Sequence, residues 1–255
     1  MSTSDTTNAL LTANKALAAY LTTGRGAVVE GSLTYPRGSI YGEQLVQNIH
    51  GVRTPALVDE GSYWVQTNVP GTPVVDTAAL TAFVATTPTM VLFNSNPVGG
   101  KSIYPTRFKC QVAAAGTNGT NWLNQWVIDT GNRWTSGGTL LTAANPNLGV
   151  LTTVTGGVTH FGAVTAPAAN GSRIIAASEM RTVIKVIGDE YTFEFGGSAP
   201  SSVGMPTDGT LQLHRTMQLP PLVIAPQQSL CWYEYAAAQS VAASFDYIQL
   251  EYVER

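Results

Sequence analysis

From Thr89 to Arg255 the chain is a succession of short apolar or alternating runs, each closed by a cluster of Gly, Pro or Asn. This pattern constrains the fold more than any other feature. Such runs form strands, and the polar clusters form the turns between them. No helical stripe recurs between the runs, so a parallel βα sheet is excluded. Residues 90–93, 103–115, 122–128, 139–142, 149–155, 158–164, 182–187, 191–195, 222–225, 229–235 and 245–253 read as strands. Gly188-Asp189 reads as the turn of a hairpin between 182–187 and 191–195. In the last strand Asp246, Ile248, Leu250 and Tyr252 share one face, and Phe245, Tyr247, Gln249, Glu251 and Val253 share the other. One face is therefore buried and the other tolerates polar groups. The pattern predicts a mainly β chain, an antiparallel β-sandwich or jelly roll.

Residues 1–24 follow a different rule. Asp5 or Thr6 caps a run in which Leu10, Leu11, Leu17 and Leu21 fall near a 3.6-residue period, and Gly24 ends it. This predicts an N-terminal helical arm and hinge over 1–26, ahead of a β domain over 27–255. Within that domain, 27–88 is a candidate docking subregion. It holds strands at 27–35 and 57–68, a short helix at 41–49, and a stretch at 76–86 that fits either element.

Charge then limits the partners. Only 11% of residues are charged, 13 basic and 16 acidic, for a net charge of -3. Spread over roughly 11,000 Å² of expected surface, that is about one charge per 370 Å². No basic excess exists to neutralise a phosphate backbone, which argues against nucleic acid. No apolar run is long enough to span a membrane as a helix. Surfaces this poor in charge suit proteins packed against copies of themselves or a partner. Cys110 and Cys231 lie in strand-like runs and are predicted to be buried thiols. Met1-Ser2-Thr3-Ser4-Asp5 has no basic leader region, so synthesis in a cytoplasm is expected, and the sequons at Asn118 and Asn170 carry no weight.

The chemistry-bearing residues give no constellation. His50, His160 and His214 lack metal-ligand spacing. No Gly-x-Ser-x-Gly elbow is present. Gly137-Gly138 and Gly156-Gly157 lack the Lys of a phosphate loop and read as turns. Nothing places Asp189, Glu190, Glu194, Glu234 or Glu251 as a pair across a cleft. The expectation is a protein that is not an enzyme and uses no cofactor or metal. Of the five tryptophans, Trp122 and Trp126 share a strand face. Buried they are core; exposed they anchor an interface or stack a sugar. The interface candidates are thus Leu10, Leu11, Leu17, Leu21, Trp122 and Trp126.

Two segments carry a resemblance. One is Leu219-Pro220-Pro221-Leu222-Val223-Ile224-Ala225-Pro226-Gln227-Gln228-Ser229-Leu230 with the alternating strand to Arg255, and the other is the strand, Asn-Pro-Gly loop and strand from Val91 to Pro105. They resemble the final hairpin and an early strand–loop–strand of jelly-roll virion proteins of tailed bacteriophages, over residues 89–255. The resemblance implies a structural virion protein that decorates or cements a capsid surface, bound to capsid protein and to copies of itself as a homotrimer. The competing expectations are a shell-forming jelly-roll coat protein and a receptor- or glycan-binding module of a tail or adhesin.

Overall fold

The computed structural model describes residues 57–68, 72–75, 80–114, 119–150, 155–197, 211–237 and 245–255. The chain divides into two units, 1–53 and 54–255, and every described residue belongs to the second. The expected helical arm, with Leu10, Leu11, Leu17 and Leu21, lies outside the described residues. So do the strand at 27–35 and the helix at 41–49.

The described residues are mainly β, in two packed sheets. The strands are β1 (Tyr63–Thr67), β2 (Val74–Val75), β3 (Met90–Asn94), β4 (Ile103–Ala114), β5 (Thr120–Asp129), β6 (Ser136–Leu140), β7 (Thr142–Ala144), β8 (Gly157–Thr165), β9 (Arg173–Arg181), β10 (Glu190–Phe195), β11 (His214–Leu219), β12 (Ser229–Ala237) and β13 (Phe245–Glu254). The first sheet runs β11-β10-β4-β13-β1-β7, with β2 also on β13; the second runs β6-β8-β3-β12-β5-β9. Every pairing is antiparallel except β10 with β11. Four of these pairings are nested: β1 with β13, β3 with β12, β4 with β10, and β5 with β9.

Alternation explains the core. Phe108, Cys110, Tyr191, Phe193, Ile248, Leu250 and Tyr252 point inward from the first sheet, and Met90, Leu92, Trp122, Trp126, Leu230 and Trp232 from the second. Phe108 lies 5.6 Å from Trp126 and 5.1 Å from Trp232, centroid to centroid. Each well-placed aromatic pair adds about 0.5–1.5 kcal/mol beyond its burial. On β13 the buried face is that of Asp246, Ile248, Leu250 and Tyr252, and Val253 on the other face is buried as well.

The two sides of the sandwich close differently. Residues 136–144 pass from the second sheet, as β6, into the first, as β7, through buried Leu141. At the opposite side Arg215 on β11 donates to the backbone carbonyls of Glu179 and Met180 on β9.

Several expectations change. The hairpin around Gly188-Asp189 does not form. The strand before it is β9, which ends at Arg181 in the second sheet, whereas β10 lies in the first. The β-branched run 182–187 crosses between sheets, drawn in by buried Lys185. The closing strands β12 and β13 likewise belong to opposite sheets and form no hairpin. Residues 222–225 make one bridge, Ile224 to Ile103. Pro220, Pro221 and Pro226 have no N–H with which to extend it. The run 139–142 is split between β6 and β7, and of 149–155 the described positions, 149, 150 and 155, are not strand. Gly137-Gly138 is not a turn between strands but a bulge inside β6, with φ of 74° and 70°.

That bulge gives a prediction. A Cβ at Gly137 would lie 2.2 Å from the Ala163 carbonyl oxygen. A left-handed non-glycine residue costs about 1–2 kcal/mol before any clash. Gly137→Ala should therefore lose at least about 2 kcal/mol in denaturant unfolding. Gly99→Ala, with φ of 82° but nothing within 4 Å of its Cβ, should lose only the conformational part.

Candidate interaction surface

Eight of the 29 charged residues are spent inside. Asp129, Arg133, Arg181, Lys185, Asp189, Glu234, Asp246 and Glu254 are all buried. Burial of an ion is tolerable only when it is paired and its remaining sites are bonded. Arg181 Nη1 meets both Asp189 oxygens at 2.5 and 2.6 Å. Asp189 also accepts from the backbone N–H groups of Val186 and Leu213, each at 2.8 Å. Lys185 pairs with Glu234, and its ammonium sits 4.4 Å from the Trp122 ring centroid. Arg133 pairs with Asp129 at 3.3 Å and donates to the Ala85 carbonyl at 2.5 Å. These pairs fix the crossing 182–189 and the segment 129–133 against the sandwich.

The two outer faces are unlike. On the first sheet Lys109 pairs with Glu190 at 2.7 Å and Arg107 with Glu251 at 2.9 Å, across neighbouring strands. The Tyr63 hydroxyl donates to Glu251, and burial, with that bond, pushes its phenol up to about 12. The second sheet's outer face is covered by the chain's own segments. Tyr233 donates to the Ala85 carbonyl at 2.9 Å and meets the Phe83 ring at 4.8 Å. Trp134 stacks on His160 at 4.2 Å and 15°. Val91, Val127, Val164, Cys231 and Tyr233 form a second apolar cluster beneath this cover.

The sequence candidates are placed as follows. Trp122 and Trp126 are 2% and 0% exposed, part of the core between the sheets. Their shared face points inward, so they offer a partner or a sugar nothing to stack on. His160 lies in the second sheet and His214 on β11 in the first, so the fold does not bring them together. Burial lowers the His160 pKa. Among the described residues no group of three or more His, Cys, Asp or Glu could hold a metal ion. Asp189, Glu190, Glu234 and Glu251 are each engaged by a cation rather than facing one another across a cleft.

The sequence reading missed the exposed tips. Val98 is 87% exposed and Leu148 94% exposed. The signal available was an Asn-x-Asn triplet just ahead of each, at 94–96 and 145–147. Comparison of the chain with protein-family models, curated proteins and solved structures finds no significant match.

Two outcomes follow from this burial. Removing one partner of a buried ion pair typically costs about 3–5 kcal/mol. Arg181→Met should fall in that range by denaturant unfolding, because Asp189 would keep its charge without its cation. Cys110 and Cys231 are buried thiols in opposite sheets. Burial pushes the Cys231 thiol up to about 12. Neither should react with a thiol reagent in the native protein, and mass spectrometry should show both alkylated after denaturation without reductant.

Proposed function

We propose that this chain is a structural virion protein whose sandwich is a jelly roll and whose work is adhesion. The observation that carries this is the nested strand pairing. The first of eight strands pairs with the last, the second with the next to last, and so inward. That is the order produced when one long antiparallel ribbon is rolled into two sheets, the architecture used by viral capsid and lectin domains. Fold alone does not assign function. The placement of charge supports the rest: with eight charged side chains buried, the surface left over is poorer in charge than the composition suggests. Interface cores are depleted in charge in the same way.

The narrower reading is a protein that decorates or cements a phage capsid as a homotrimer, bound to coat subunits and to copies of itself, with 1–24 as the anchor. A shell-forming coat is the second reading. The nested pairing favours it equally, since viral capsid domains use that architecture. The glycan-binding reading loses its platform with the burial of Trp122 and Trp126.

Electron microscopy of the purified full chain, alone and mixed with preformed capsids, tests this. Closed particles from the chain alone support the coat reading, and attachment to capsids only supports the cement reading. A chain that stays monomeric and binds no shell would sink both. Deleting residues 1–24 should leave a cooperative β domain in thermal unfolding while sharply weakening attachment. Loss of folding, or undiminished binding, would remove the anchor role.

A further inference from the structure

Two loops at one end of the sandwich are built to one plan. In Asn94-Ser95-Asn96-Pro97-Val98-Gly99, Asn94 Oδ1 accepts from the Asn96 N–H at 3.1 Å. In Asn145-Pro146-Asn147-Leu148-Gly149, Asn145 Oδ1 accepts from the Asn147 N–H at 2.9 Å. The first Asn of each loop also ties it to a neighbouring segment. Asn94 Nδ2 donates to the Ile224 carbonyl at 2.9 Å, and Asn145 Nδ2 to the Gly61 carbonyl at 2.8 Å. The second Asn adds another tie: Asn96 Nδ2 reaches Glu254 at 2.9 Å, and Asn147 Nδ2 reaches the Asp59 carbonyl at 3.1 Å. Both loops therefore brace on the same corner, where β1 begins and β13 ends; Tyr63 pairs there with Val253.

Each loop then holds up one apolar side chain, Val98 at 87% and Leu148 at 94% exposure, followed by glycine. Side chains this exposed bury almost nothing in their own domain, so the core gives no reason for them to be apolar. Holding them out on braced loops has a clear effect on binding. The ordering cost that association normally carries is already met within the fold. Val223, 51% exposed, lies in the adjoining segment, and Gln227 there donates to the Asn96 carbonyl at 2.7 Å.

The rim identifies the occupant. Among the described residues Lys101, Arg255, Asp59 and Glu60 are exposed on the segments that meet at this corner, and Arg255 pairs with Glu60 at 2.5 Å. Two bases and two acids give no net sign. A polyanion or an anionic lipid surface needs a basic excess. A rim carrying both signs is instead complementary to a rotated copy of itself. We propose that this end of the sandwich is the contact through which a second copy of this chain docks, with Val98 and Leu148 as its apolar anchors. The proposal rests on the assembly reading above and names the surface that performs it.

Sedimentation velocity over a concentration series tests it in the full chain. Three proteins are compared: the parent, the double variant Val98→Ser/Leu148→Ser, and the control Val98→Ile/Leu148→Met. Because both positions are almost fully exposed, the substitutions should leave thermal unfolding unchanged, which circular dichroism checks. The parent and the control should associate alike, and the serine variant at least tenfold more weakly. A parent that associates together with a serine variant that associates equally well overturns this contact and leaves the assembly reading standing. A parent that remains monomeric throughout overturns this contact, and the assembly reading falls with it if that parent also binds no shell in the capsid-mixing experiment.

Discussion

The rest of the structure depends on the aromatic contact between the sheets. Phe108 from β4 sits against Trp126 of β5 and Trp232 of β12, with Phe161 and Phe193 around them. Each belongs to a strand with a neighbour on both sides, so the rings fix register as well as spacing. Sliding β12 by one residue would turn Trp232 outward and bring Cys231 and Tyr233 inward. The nested pairings then cannot form around the same core. Rings of this size also suit the spacing of about 10 Å at which stacked sheets pack.

The buried ions do a second job that apolar residues cannot do. The crossing 182–189 is tied by backbone near its ends, Thr182 to Asn121 and Gly188 and Asp189 to Val112. The Asp189 side chain adds to this by accepting from Arg181, Val186 and Leu213 together. Its carboxylate thus joins the end of β9, the crossing and the approach to β11. Specificity of this kind comes with a desolvation cost, so the pairs are better read as determinants of path than of stability.

Much of the fold was legible in the alternation. β3, β4, β5, β8, β12 and β13 fall close to the expected runs, because period-two burial leaves a direct trace in sequence. The assignment of a strand to a sheet leaves none. The run 182–187 has the composition of a strand, and nothing local to it shows that Lys185 will find Glu234 on β12. The spacing of Trp122 and Trp126 gave a shared face but not its direction, since core and interface use the same residues. The charge count likewise gave the number of ions but not their side of the surface. The Asn-x-Asn loops were visible as loops, whereas what braces them comes from residues far along the chain.

The passage of 136–144 from one sheet to the other has a mechanical consequence. Along that side the sheets are joined by continuous covalent backbone through Leu141. Along the opposite side backbone crosses as well, through 182–189 between β9 and β10, and Arg215 and the Arg181–Asp189 pair tie it further. A shear load that slides one sheet over the other therefore meets continuous chain on both sides. Neither edge can open like a book until the segment that bridges it has been pulled out.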